Sequence, residues 1–128
     1  MSSSPYILKQ ARWGQRLQHS EMHDSVWEIL TDPVIGILMG ETAENLAEKY
    51  DISREDQDEV SVRSHQNAIH AIENGTFQEE IIPIEATNKK KKMLIGNDEH
   101  PRKDISKGKI ESLKPIFREN GTVTAANS

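Results

Sequence analysis

The basic residues around Arg102 have the types and spacing that suit an anionic or planar ligand. Arg102 and Lys103 follow Pro101, and Lys107 and Lys109 lie a few positions further along the chain. A guanidinium pairs with phosphate and also stacks on rings, so this combination favours a nucleotide as the ligand. The alternative, for these residues taken alone, is an ordinary charged surface loop.

The five histidines do not indicate a metal site. His19 and His23 have the spacing that places two ligands on one helix face. However, no third ligand follows at a matching spacing, and residues 14–20 are not typical of a helix. We expect no metal there, and we expect His65 and His70 to be ordinary residues of a helix surface.

Residues 89–92 are four consecutive lysines. Such a run could attract phosphates or RNA. The alternative is a solvated hairpin tip, and one basic run in an acidic chain is a weak signal for nucleic acid.

Gly40 precedes a predicted helix and allows another segment to approach the backbone closely. Glu41 and Glu44 already supply negative charge to that helix end, so a bound phosphate is disfavoured there. We therefore expect close packing against Gly40. The chain has no cysteine, and neither a spaced serine–histidine–acid set nor a glycine-rich phosphate loop indicates a catalytic centre.

The clearest elements that could position these residues are two helices within residues 41–75. The first has Ala43, Leu46, Ala47 and Tyr50 on one face. Ser53 begins the second, whose first turn is acidic, and the pair Asn74-Gly75 is typical of a helix end.

The rest of the chain predicts short elements. Residues 1–40 are irregular apart from a short helix within 24–30, capped by Asp24. Strands are expected at 81–84, 93–95 and 122–124, and a short helix within 105–113. The fold class predicted is α+β.

Composition limits the core that this chain can build. The 128 residues are 34% hydrophobic and 5% aromatic, so we expect a thin core that depends on a partner or further chain. A net charge of −5 argues against a general nucleic-acid binder. No apolar run approaches a membrane span, and no secretory signal is recognisable, so a cytoplasmic protein is expected.

The sequence resembles the thiolase family over its whole length. The resemblance is carried, in one order and at fitting spacing, by PY at 5–6, ARWG at 11–14, MGETAENLA at 39–47, ISREDQDE at 52–59, SHQ at 64–66, GTF at 75–77, EIIP at 80–83, DEHPR at 98–102, LKP at 113–115 and GTVTAAN at 121–127.

The resemblance implies an acyl-CoA C-acyltransferase acting by Claisen condensation or thiolysis through a cysteine thioester. Thiolases have two similar halves and an inserted loop (lid) domain, and residues 1–128 look like that loop domain. It would comprise an irregular, oligomer-contacting part (1–40), a helical pair (41–75), and short strands with a CoA-contact loop and a return strand (76–128). The catalytic cysteines, histidine and asparagine would lie outside these residues, so this fragment alone should be inactive.

The resemblance also implies contacts to coenzyme A, which is a substrate here rather than a resident cofactor. Arg102 matches a nucleotide-contacting arginine, and Met39 matches a methionine that lines the acyl and pantetheine pocket. Lys109 departs from the pattern: it stands where some members have a serine near the nucleotide, and it could meet a phosphate only as a point charge. The remaining matches, along the pantetheine arm, are Leu30, Phe117 and Ala125. Expected partners are acyl-CoA, the remainder of a thiolase chain, and a homodimer or homotetramer, without nucleic acid or membrane.

One departure concerns Leu38, which stands where short-chain biosynthetic members have a histidine. This departure means that the substrates could include longer 3-oxoacyl chains. Two rival interpretations remain from the residues alone: a helical interaction module using residues 51–74, and an RNA-associated domain using residues 89–92.

Overall fold

The computed structural model describes residues 3–88 and 91–128. Helices and short strands both occur, as expected for an α+β chain. In order they are β1 (Tyr6–Ile7), a 3₁₀ turn (Ala11–Trp13), β2 (His23–Asp24), α1 (Ser25–Ile29), α2 (Met39–Tyr50), α3 (Arg54–Glu73), β3 (Ile84–Asn88), β4 (Lys91–Ile95) and α4 (Lys107–Glu111).

The predicted helical pair is confirmed as α2 and α3. Asp51 ends α2 in the left-handed conformation, with φ at +53°, which turns the chain sharply towards the next helix. The hydroxyl of Ser53 then accepts a hydrogen bond from the backbone N–H of Asp56 at 3.1 Å and caps α3. Gly75, with φ at +70°, follows the end of α3.

Residues 1–40 are organised around a small antiparallel ladder. β1 pairs with β2, with Tyr6 opposite Asp24 and Ile7 opposite His23. Every residue between the two strands, 8–22, is exposed. Asp24 caps α1 as predicted, because its carboxylate accepts from the backbone N–H of Val26 at 2.8 Å.

The strand predicted at residues 81–84 is wrong in position. The backbone N–H of Ile81 donates instead to the carbonyl of Phe77 at 3.0 Å, which closes a turn. Pro83 has no N–H to donate, and β3 begins only after it, at Ile84. β3 pairs antiparallel with β4, where Ile84 lies opposite Ile95, so a strand at 93–95 is confirmed.

The return strand predicted at residues 122–124 is also wrong. This segment belongs to no strand in the described chain. The backbone N–H groups of Thr122 and Val123 donate to the carboxylate of Glu44 on α2. These N–H groups are therefore bonded to the side chain of Glu44 and are not available to pair with a neighbouring strand.

The core among the described residues is small. Its buried apolar side chains are Ala47, Ile110 and Val123, and the buried polar residues are Ser25, Glu44, Asp58 and Thr124. Apart from Ser25 on α1, these residues lie on α2, α3, α4 and the segment 121–127, and four of the seven are polar. Within the described ranges, no helix is both long and apolar enough to span a bilayer.

Candidate functional site

A cleft of about 900 Å³ runs along one side of α3. Its floor is α3, from Gln57 to Ala68. One wall is formed by residues 100–113 and the other by residues 125–128. Three of the residues expected to contact a ligand, Arg102, Lys109 and Ala125, line this one cleft.

The loop that carries Arg102 is attached to the cleft floor by a histidine. The backbone N–H of Arg102 donates to Nδ1 of His65 on α3 at 3.2 Å. The rings of His65 and His100 are stacked, with centroids 6.1 Å apart and planes at 28°. Lys103 adds an ion pair with Glu73 at 2.8 Å.

His65 is therefore not the ordinary surface residue that the sequence predicts. It lines the cleft and fixes the position of Arg102 through the backbone. Its partners lie 35 or more positions away in the sequence, at His100 and Arg102, so no local pattern could have identified it.

Lys109 forms an ion pair with Asp104, which lies in the same wall of the cleft. Its Nζ is 2.8 Å from Oδ2 of Asp104 and also donates to the Asp104 carbonyl at 3.0 Å. The hydrogen bond from Lys109, and then its charge, lower the pKa of the Asp104 carboxyl, with Arg102 adding a smaller effect. Lys109 and Arg102 thus form the cationic end of the cleft, partly balanced by Asp104.

The opposite wall, residues 125–128, is held by two hydrogen bonds to α3. The hydroxyl of Ser61 on α3 donates to the carbonyl of Ala126. The side chain of Asn127 donates to Oδ1 of Asp58 at 2.8 Å. These contacts place Ala125 at the mouth of the cleft.

The other three predicted contact residues form a second group at the start of α2. The backbone N–H of Met39 donates to the carbonyl of Leu30 at 2.8 Å. The ring of Phe117 lies on Gly40, where an added Cβ would be 2.1 Å from the nearest ring carbon. Leu30, Met39 and Phe117 are absent from the lining of the cleft, whereas close packing against Gly40 is confirmed.

Arg118, which sequence reasoning did not single out, and Glu44, whose distant partners it did not identify, hold residues 116–123 against α2. Arg118 Nε lies 2.7 Å from Oε2 of Glu41, and this contact raises the pKa of Arg118. Glu44, only 4% exposed, accepts hydrogen bonds from Thr122 and Val123. Burial acts to raise the pKa of Glu44, but those hydrogen bonds outweigh it, so the pKa lies below its ordinary value.

No metal centre is found in the part of the chain that the structure describes: no three histidine or acidic side chains converge there. His23 instead pairs with Glu28, Nδ1 to Oε1 at 3.0 Å. Of the four lysines at 89–92, the first two lie outside the described residues, and Lys92 pairs with Glu85 at 2.7 Å.

Comparison with known proteins gives a consistent result over the whole chain. The family model described as "Thiolase, N-terminal domain" matches residues 1–128. A beta-ketothiolase, BktB, of Cupriavidus necator is 43% identical over 129 residues, covering 100% of this chain and 33% of its own.

Solved structures agree with these matches. The acetyl-CoA acetyltransferase of Bacillus anthracis is 57% identical with a TM-score of 0.89, covering 99% of this chain and 32% of that one. The human mitochondrial 3-ketoacyl-CoA thiolase in complex with CoA is 39% identical with a TM-score of 0.82, covering 97% and 31%. The chain thus spans about a third of the length of the relatives that it matches.

Proposed function

This chain belongs to the thiolase family, and on that premise we propose that it is the CoA-binding part of an acyl-CoA C-acyltransferase. The enzyme would transfer acyl groups between CoA thioesters by Claisen condensation or thiolysis. The observation that carries this proposal is the cleft that brings Arg102, Lys109 and Ala125 together. By the family resemblance, Arg102 and Ala125 match positions that contact coenzyme A, and Lys109 stands where some members have a serine near the nucleotide.

The nucleotide of the CoA ester would bind at the cationic end of the cleft. Arg102 supplies a planar guanidinium that can stack on adenine and pair with phosphate. Lys109 supplies a point charge for a phosphate. The stacked His65 and His100 rings support this assignment, because they border the same end with aromatic surface.

The pantetheine arm would run past Ala125, Leu30 and Phe117, and Met39 would line the pocket for its acyl end. The similarity to a human thiolase in complex with CoA supports a CoA ester as the ligand. Leu38 is apolar where a histidine would favour short-chain substrates, so the proposal extends to longer 3-oxoacyl groups.

In this proposal, residues 1–128 are the loop domain and the rest of the enzyme supplies the chemistry. The described relatives are about three times as long as this chain, and none of its residues is a cysteine. Residues 8–22, all exposed, would contact a partner subunit in a dimer or tetramer. The alternative of a helical interaction module has no support among the relatives found.

The proposal is tested in an exchange enzyme, in which residues 1–128 replace the equivalent third of the Bacillus anthracis acetyl-CoA acetyltransferase. We expect this exchange enzyme to cleave acetoacetyl-CoA, with saturation by the CoA ester. A folded exchange enzyme that binds no CoA ester in equilibrium dialysis would contradict the proposed function.

A further inference from the structure

Asp58 lies between the two walls of the cleft and is the most deeply buried charged residue among those described. Its exposed fraction is 0%. A buried carboxylate is costly unless it is paired and hydrogen-bonded. Asp58 makes none of the proposed contacts to coenzyme A, so its burial requires another explanation.

One oxygen of Asp58 is linked through Arg54, on the same helix, to the wall that carries α4. Its Oδ2 accepts from Nε of Arg54 at 2.8 Å. The guanidinium of Arg54 then donates to two carbonyls where α4 ends, those of Ile110 at 2.9 Å and Leu113 at 3.1 Å. The Arg54–Asp58 pair therefore ties the end of α4 to the cleft floor.

The other oxygen of Asp58 reaches the opposite wall. Its Oδ1 accepts from the side-chain amide of Asn127 at 2.8 Å. The same amide group donates to the carbonyl of Thr122 at 3.0 Å, and its oxygen accepts from the backbone N–H of Thr124 at 2.7 Å. Asn127 thus closes residues 122–127 into a fixed loop and attaches that loop to α3.

We propose that Asp58 is a positioning residue that sets the spacing of the two cleft walls through Arg54 and Asn127. The inference rests on the function proposed above, because the walls matter only if the cleft binds a CoA ester. One oxygen of this carboxylate holds Arg54, which binds the end of α4, and the other binds Asn127 directly, so the positions of the two walls are coupled. A ligand that bridges Lys109 and Ala125 would depend on that spacing.

The test is the Asp58→Asn substitution in the exchange enzyme, with Glu59→Gln on the exposed side of α3 as the matched control. Asparagine cannot pair with Arg54, and its N–H₂ group meets a donor on one side or the other. We expect KM for acetoacetyl-CoA to rise about fivefold or more, with kcat within about twofold. Glu59→Gln should leave both unchanged.

A double-mutant cycle separates positioning from general loss of stability. Asp58→Asn should raise KM less in an Asn127→Ala background than in the unaltered enzyme, because both changes release the same wall. Additive effects on KM would overturn the proposal. So would an unchanged KM in Asp58→Asn, even if that variant unfolds at a lower temperature.

Two further variants keep the proposal testable if Asp58→Asn does not fold. Arg54→Lys retains the buried charge pair but loses the fork that reaches both α4 carbonyls, and Asn127→Ala releases the other wall. Each should raise KM, and no change in either would overturn the proposal. If Arg102→Ala also leaves KM unchanged in this assay, the proposed function has failed; if only Arg102→Ala raises it, the positioning role alone has failed.

Discussion

At the scale of single residues, the side chains that organise this chain are buried acids rather than apolar groups. Glu44 accepts from both the backbone and the hydroxyl of Thr122, at 2.9 and 3.0 Å, and from the backbone N–H of Val123 at 2.8 Å. It therefore fixes the segment that leads to Ala125. Sequence patterns place Glu44 on a helix, but they do not reveal partners 78 and 79 positions away.

We expect Glu44→Gln to lower the stability of the exchange enzyme by about 1–3 kcal/mol, because the amide N–H₂ would face donors that now bind a carboxylate. The matched control is Glu48→Gln, on the same helix with a side chain 82% exposed. Thermal unfolding midpoints measure the difference. Equal midpoints for the two variants would contradict the role assigned to Glu44.

The same comparison has a predicted pH dependence. Because folding lowers the pKa of Glu44 below its ordinary value of 4.5, its carboxylate contributes stability that is present above pH 4.5 and lost as the pH falls through the lower pKa of the folded state. The gap in midpoint between the unaltered enzyme and Glu44→Gln should therefore narrow on acidification. If the difference in midpoint increased as the pH fell, the predicted lowering of the Glu44 pKa would be contradicted.

At the scale of elements, local signals predicted the helices and the strand at 93–95, but they failed for the strands expected at 81–84 and 122–124. Asp24 begins α1, and Ser53 and Gly75 lie at the two ends of α3. Each acts through contacts within a few residues, so these boundaries follow from the sequence. Residues 122–124 are β-branched and predict a strand, yet the hydrogen bonds from Glu44 decide their conformation. The division of the contact residues into a cleft group and a second group likewise depends on long-range packing.

Because residues 116–118 pack on the start of α2, we expect a side chain larger than glycine at position 40 to destabilise the fold. Gly40→Ala would place a methyl group 2.1 Å from a ring carbon of Phe117, so the ring must move and the midpoint of unfolding should fall. Gly108→Ala in α4 is the control, since nothing lies within 4 Å of its Cβ and alanine favours helix by up to about 1 kcal/mol.

A second change checks the cause. Phe117→Leu in the Gly40→Ala enzyme should recover part of the lost stability, because the smaller side chain clears the new methyl group. If Gly40→Ala is as stable as Gly108→Ala, the close contact with Phe117 does not exist in solution.

At the scale of the whole molecule, the chain has many exposed apolar side chains and few buried ones. Trp13 is 87% exposed and Leu17 is 102% exposed, while only three apolar side chains are buried among the described residues. The low apolar fraction predicted this thin core. In the function proposed above, the rest of the enzyme or a partner subunit would cover Trp13 and Leu17.

We expect the 128-residue chain by itself to be of low stability and to turn over no acetoacetyl-CoA. Burial of so few apolar side chains barely offsets the ordering entropy, and the chain has no cysteine to form a thioester. Calorimetry and a thiolysis assay measure the two properties. A cooperative melt above about 65 °C, beyond the usual mesophilic range, or turnover by the purified chain would contradict these expectations.

The most direct test of the account is the effect of Arg102→Ala on KM for acetoacetyl-CoA and for the acetoacetyl thioester of pantetheine, which lacks the nucleotide. In the exchange enzyme, we expect KM for the CoA ester to rise by a factor that corresponds to about 1–2 kcal/mol, with kcat nearly unchanged, because the contact is lost equally from the ground and transition states. KM for the pantetheine thioester should not change. Arg102→Lys should recover only part of the loss, since an ammonium cannot stack on adenine as a guanidinium does. An unchanged KM for the CoA ester, or an equal rise for both substrates, would contradict the claim that this cleft binds the nucleotide of coenzyme A.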